Sequence, residues 1–142
     1  QHISLLTEVW KKKQNEFEEL LKGADKQLVE GYAYLNKTQI KNVQSNLKKP
    51  ILFTEFGYRS IDFTGKKPWD SKRVTGSIKL QAQKNGLQAI YNQFWNEAWF
   101  AGGFIWKWFH KHNEVGGENN NRFTPQNKPA EVLLRNLYKE IP

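Results

Sequence analysis

Glu55 is the side chain of this sequence best placed to do chemistry. It closes a short apolar run, Ile51-Leu52-Phe53-Thr54, that opens at Pro50, and the loop Gly57-Tyr58-Arg59-Ser60 follows it. Apolar runs of this length read as strands buried on both faces, as in parallel sheets. A charged group at the carboxyl end of such a strand is expensive to bury, so its presence there asks for a function. In barrels of alternating strands and helices, that end is where catalytic groups sit. The competing reading is a structural carboxylate paired with Arg59 or a lysine.

Aromatic side chains surround this candidate in the sequence. Trp106 and Trp108 lie at the end of a second apolar segment, Gly102-Gly103-Phe104-Ile105-Trp106-Lys107-Trp108-Phe109, and Trp69 lies in a long loop. Six Trp, five Tyr and nine Phe make up 14% of the residues. Many can serve a core, but this many tryptophans also suit a cleft in which rings stack on sugar faces. Trp106 and Trp108 could be the floor of such a cleft, or two core residues. Trp69 could line it, or plug the loop against the body. Tyr58 could hold Glu55 in its ionised, correctly oriented form through a hydrogen bond, or pack within the loop. Arg59 could pair with a carboxylate outside this sequence, or be solvated. Side chains alternate along a strand, so Ile51, Phe53 and Glu55 are expected on one face and Phe104, Trp106 and Trp108 on one face, with no strand distortion needed. Lys107, between the two tryptophans, is expected to point away from them into an ion pair. His110 and His112 have no evident third ligand and read as solvated. No metal site and no cofactor motif are seen.

The elements that must position these groups follow from spacing. Leu5, Leu6, Val9, Trp10, Phe17, Leu20 and Leu21 predict an amphipathic helix over 5–22 that stops at Gly23. Residues 24–36 lack a pattern, and 37–47 read as a short polar helix. Residues 61–77 form a long loop, and loops this long are often functional. A helix is expected over 78–99, with Leu80, Leu87, Tyr91, Phe94 and Ala98 on its buried face and Gly86 weakening its middle. Residues 110–128 are rich in Gly and Asn and read as a flexible surface loop. Pro129 suits the first turn of a last helix that buries Leu133, Leu134, Leu137 and Ile141. The order strand, helix, strand, helix signals α/β packing around a parallel sheet.

The chain of 142 residues suits one domain, yet a closed eight-stranded barrel takes ~250 residues. Two parallel strands cannot close a sheet, so the chain is expected to be the C-terminal part of a larger unit, completed by an N-terminal region or by self-association. The formal net charge of +8 comes from lysines scattered along the whole chain. It favours solubility over nucleic-acid binding, for which no arginine-rich run or motif exists. Cysteine is absent, which excludes disulfides, thiol catalysis and thiolate metal sites. No run approaches the ~20 apolar residues of a membrane span, and no signal peptide is visible.

Four stretches in fixed order carry a resemblance: KPILFTEFGYRS (49–60), KPW (67–69), QAQKNGLQAIYNQFWNEAWFAGGFIWKWF (81–109) and FTPQNKPAEVL (123–133). Together they resemble glycoside hydrolase family 113, the β-mannanase-like members of a retaining clan built on (β/α)8 barrels. The resemblance spans about 49–135, and residues 1–48 match loosely as the helix before the seventh strand. It implies that 1–142 is the C-terminal part of a single barrel domain, with Ile51–Phe56 as strand seven and Gly103–Trp108 as strand eight. It implies a retaining hydrolase of β-1,4-linked mannan-type poly- or oligosaccharide, with Glu55 as nucleophile and Tyr58, Arg59, Trp69, Trp106 and Trp108 around the substrate. The acid/base would lie at the end of strand four, outside this sequence. The clan's acid/base signature is an Asn-Glu pair, but Asn96-Glu97 falls at a helix end and Glu97 reads as structural. The implied setting is bacterial: secreted, periplasmic or surface-anchored. A non-catalytic carbohydrate-binding protein on the same scaffold is the alternative, and a basic module for an acidic partner a weaker one.

Overall fold

In a computed structural model of the chain, residues 25–66, 68–69 and 78–140 are described, the side chains of 25–29 excepted. The elements run α1 (Asp25–Leu47), β1 (Ile51–Phe56), α2 (Leu80–Phe94), β2 (Phe100–Ile105) and α3 (Pro129–Lys139), with one short 3-10 turn at His112–Glu114. The two strands pair in parallel, so each helix between them and after them returns the chain to the same end, as the sequence order requires. The helix expected over 5–22 and the burial expected for Ile141 lie outside the described residues.

α1 is one helix of 23 residues, not an irregular segment followed by a short helix. Its first half lacks a large apolar stripe because small and polar residues make its contacts. Ala33 meets Ala89 of α2, both fully buried. Glu30 accepts hydrogen bonds from Asn92 Nδ2 (2.8 Å) and Gln93 Nε2 (3.2 Å). The helix stops where Lys48 takes φ 51°, its N–H bonding the Gln44 carbonyl at 2.7 Å, and Pro50 follows.

α2 ends at Phe94, shorter than the 78–99 expected, and Ala98 is exposed. The chain turns there to bring Trp99 and Phe100 onto the core. Leu87, Ile90 and Phe94 of α2, Ala130 and Leu134 of α3 and Tyr58 form the buried cluster, and Phe53, Phe56, Phe100 and Ile105 pack on it from the sheet. Phe53 joins the sheet to α2, its ring 4.9 Å from both Phe94 and Phe100, edge-on to each. Much of the aromatic content is therefore structural, including Trp95, which packs beside Phe56, Tyr91 and Phe100. Gly86 has a packing reason too: a Cβ there would come within 2.6 Å of the Tyr58 ring, which lies on the helix backbone.

The sheet departs from expectation in two ways. Among the described residues only one face is covered; Leu52 is 50% and Phe104 64% exposed on the other. The ladder also slips twice: Ile51 pairs with Phe100 but Leu52 with Gly102, and Phe53 with Gly103 but Phe56 with Ile105. The first slip is allowed by Gly102 at φ +106°. The second puts one extra residue on β1, so Phe53 and Phe56 both reach the helix side and Thr54 and Glu55 are left exposed between them. Simple alternation does not hold at the strand end.

Residues 110–128 are the largest correction. The expected flexible loop is a hydrogen-bonded polar core. Gln126, fully buried, grips Phe109 like a strand partner, its Oε1 accepting from the N–H (2.7 Å) and its Nε2 donating to the carbonyl (2.9 Å). Gln83 of α2, also fully buried, donates to the carbonyls of Tyr58 and Phe123, each at 2.9 Å. Lys128 sends its ammonium to Ser60 Oγ (3.0 Å), Asn120 Oδ1 (3.0 Å) and the Arg122 carbonyl (2.9 Å), with no carboxylate partner among the described residues, and burial brings its pKa down to about 8. Asn127, at φ 57°, donates to the carbonyls of His112 (2.7 Å) and Val115 (2.9 Å). These partners stand far apart in sequence, so no local pattern announces them.

Glu131 anchors this loop to the first turn of α3. Its carboxylate accepts from the Asn127 N–H (2.7 Å), Arg135 (2.8 Å) and His112 Nε2 (2.8 Å), so His112 is engaged rather than solvated. Burial pushes the carboxyl up, but the Arg135, Asn127 and His112 hydrogen bonds outweigh it and hold the group at about 2. A folded-state pKa below the ordinary 4.5 means stability that is fully present above pH 4.5 and is lost as pH falls through 2. The contribution is on the order of 3 kcal/mol. Glu131→Gln should therefore lower the urea midpoint at pH 7 and lower it far less at pH 2.5; an equal deficit at both would contradict the linkage.

Candidate cleft at the end of the first strand

The end of β1 is welded to the end of β2 by backbone. The Trp106 N–H donates to the Phe56 carbonyl at 2.7 Å, and a Cβ at Gly57 would lie 2.0 Å from the Trp106 carbonyl oxygen. Only glycine allows that approach. It carries Trp106, just past β2, to the side of Glu55. Both line an open cleft of about 570 Å³. Asn36, Gln39 and Ile40 of α1 form one wall, Phe53, Ile90 and Phe94 the floor, and Pro68 and Trp69 a projecting lip. Trp69 is 75% and Trp106 45% exposed, so both rings are available to a ligand. Among the described residues, Glu55 is the sole carboxylate lining the cleft and makes no hydrogen bond or ion pair.

Tyr58 lines the same cleft but belongs mainly to the core. It is 4% exposed, stacked over Gly86, and burial followed by the charge of Glu30 pushes its phenol up. Its hydroxyl thus feels α1, and no hydrogen bond to Glu55 is formed. Arg59 is 3% exposed and not in the cleft; its Nε donates to the Asn121 carbonyl at 3.1 Å, which ties the strand end to the polar loop core. Trp108 is not brought to Glu55. β2 ends at Ile105, short of the expected Trp108, and the Trp106–Lys107 peptide bond is cis. Trp108 instead lines a groove with Phe104, Leu134 and Tyr138 beside α3. Lys107 makes no ion pair among the described residues; its Nζ lies over the Trp106 and Phe109 rings. Glu97 follows the end of α2 and does not line the cleft. Lys37 binds it at 2.5 Å and, with that hydrogen bond, holds its carboxyl below the usual range.

The polar residues that brace the strand end, Ser60, Gln83, Gln126 and Lys128, escaped the sequence reading. Gln83 had one signal: it stands four residues before Leu87 on the buried face of α2. Among the described residues no group of His, Asp and Glu is arranged to hold a metal ion, and no helix is long and apolar enough to cross a membrane.

The model of glycoside hydrolase family 113 matches residues 11–128. The chain belongs to that family. Solved family 113 structures share its fold. A β-mannanase from Alicyclobacillus acidocaldarius in complex with ManMIm is similar at TM-score 0.59 and 25% identity, over 72% of this chain and 33% of that one. A β-1,4-mannanase complex and a β-1,4-mannanase structure each give TM-score 0.61 at 22% and 23% identity, over 72% of this chain and 34% of theirs. The chain thus spans about a third of the length of these family 113 structures. No curated protein matches it significantly. Family 113 membership implies a (β/α)8 barrel, and the two parallel strands with their helices are consistent with part of one.

Proposed function

We propose that this family 113 chain supplies the nucleophile-bearing end of a retaining glycoside hydrolase that cleaves β-1,4-linked mannan-type chains. β1 and β2 serve as strands seven and eight, and residues 1–142 as the C-terminal part of one barrel domain. The observation that carries this reading is Glu55: a carboxylate at the carboxyl end of a parallel strand, unpaired among the described residues, between two exposed tryptophans. Sugar rings present CH groups that pack on an indole face, so Trp106 and Trp69 can hold a pyranose over Glu55 while its hydroxyls stay hydrated.

Glu55 attacks the anomeric carbon as the glycosidic C–O bond breaks, and an acid from the strand-four end protonates the leaving oxygen. The resulting ester is cleaved by water, whose proton returns to the same acid/base, and Glu55 is freed. Retention needs the two carboxyls ~5–5.5 Å apart, and the second must come from the remainder of the barrel. A 2-deoxy-2-fluoro mannoside with a good leaving group tests the assignment in the protein with its complete barrel. The ester should accumulate and mass spectrometry should place the label on the peptide containing Glu55; a label on another carboxylate removes Glu55 from the role.

The single carboxylate in the described cleft favours a second reading, a sugar-binding protein that does not cleave. It would bind mannooligosaccharide with little dependence on salt and release no reducing ends. An acidic partner would instead dissociate steeply as salt rises.

Completion of the barrel also bears on behaviour in solution. Among the described residues each strand has one partner, and Leu52, Phe104 and Trp108 are exposed around the open edges. Unpaired edges and apolar faces invite association. Expressed as these 142 residues alone, the chain should sediment as oligomers or precipitate; a clean, cooperative monomer would contradict the partial-barrel picture.

A further inference from the structure

A sugar platform works only if its ring is held at one angle. The Trp106 backbone is fixed by the Phe56 carbonyl and Gly57, but these contacts leave its side-chain torsions open. Among the described residues no aromatic ring packs on the Trp106 indole; the group over it is Lys107 Nζ, 5.3 Å from the ring centroid. The same ammonium lies 5.0 Å from the centroid of Phe109. Both distances fall within the ~6 Å reach of cation–π attraction. The Phe109 backbone is anchored, because fully buried Gln126 holds its N–H and its carbonyl. Among the described residues no carboxylate pairs with the exposed Lys107 to draw its ammonium away from the rings. A continuous path thus leads from the polar core through Gln126, Phe109 and Lys107 to the indole that borders the cleft.

We infer that Lys107 is a positioning residue for sugar binding: its ammonium, lodged between the Trp106 and Phe109 rings, sets the angle of the Trp106 platform. The inference rests on the reading of Trp106 as a sugar platform. Arginine can replace lysine in this role, since its guanidinium also stacks on aromatic faces, whereas methionine keeps an apolar stem and loses the charge.

The test uses the protein with its complete barrel, labelled with 5-fluorotryptophan and carrying Glu55→Gln so that bound sugar is not cleaved. The Trp106 resonance, assigned by its loss in Trp106→Phe, reports ring order without any sugar. Calorimetric titration with β-1,4-mannohexaose reports affinity. Lys107→Met should shift or broaden the Trp106 resonance and raise Kd about three- to tenfold, and Lys107→Arg should restore both. An unchanged Trp106 resonance in Lys107→Met overturns the inference, and so does a changed resonance with unchanged affinity. A drop in unfolding temperature that Lys107→Arg does not restore would mark a merely structural role and also overturn it. If the Glu55→Gln parent binds no mannohexaose while Lys107→Met still alters the resonance, the mannan reading fails and the setting of the ring angle by Lys107 stands.

Discussion

Glu55→Gln should abolish mannooligosaccharide cleavage by the complete enzyme, lowering kcat by roughly 10⁴-fold or more, as expected when a covalent nucleophile is removed. The amide is nearly isosteric and keeps the exposed position between Thr54 and Phe56, so substrate binding should survive. The distinctive outcome comes from the shorter Glu55→Gly variant. With the carboxylate gone, a small anion such as azide can occupy its place and attack the anomeric carbon of an activated mannoside. A nucleophile arriving from the Glu55 side yields the glycosyl azide of inverted configuration. Rescue with that stereochemistry identifies Glu55 as the attacking group and not as the acid. Product with retained configuration would assign Glu55 the acid/base role instead, and equal turnover in wild type and Glu55→Gln would remove it from the mechanism.

The strand that presents Glu55 was legible because its signal is local: Pro50, Ile51-Leu52-Phe53-Thr54 and a carboxylate, bounded by Gly57, give β1 its limits. The start of α3 was legible for the same reason, since Pro129 presets its first turn. The parallel order followed from the alternation of elements. What was not legible depends on pairs distant in sequence. The extra residue in β1 is set by where Phe53 and Phe56 must pack, not by anything in ILFTEF, and it decides that Glu55 is exposed. The separation of Trp106 from Trp108 follows from β2 ending at Ile105. The polar stretch between 110 and 128 looks solvated until Gln83, Ser60 and Glu131 are known to bond to Phe123, Asn120 and Asn127 within it. Composition told of polarity there and could not tell that the polarity was satisfied internally.

The tie between the two strand ends makes Gly57 the position where fold and site are most tightly joined. Gly57→Ala should lower stability by about 2–4 kcal/mol and activity by about 10²-fold. The added methyl would sit 2.0 Å from the Trp106 carbonyl oxygen, which is backbone and cannot rotate aside. To admit it, the ends of β1 and β2 must part by roughly 1 Å or more to reach van der Waals distance. The 2.7 Å bond from the Trp106 N–H to the Phe56 carbonyl then stretches or breaks, leaving two polar groups poorly satisfied. Trp106 moves away from Glu55 by the same amount, and a displacement of ~1 Å at a reacting centre is enough for a loss of that size. Gly102→Ala gives the contrast. It meets no atom within 4 Å but must hold φ +106°, so it should strain β2 and lower stability without driving Trp106 from Glu55. Comparing kcat/KM with the urea midpoint for both variants separates the effects: Gly57→Ala should lose activity even where it remains fully folded, and Gly102→Ala should not. Wild-type activity in folded Gly57→Ala would show that the approach of the two backbones does not position the catalytic cleft.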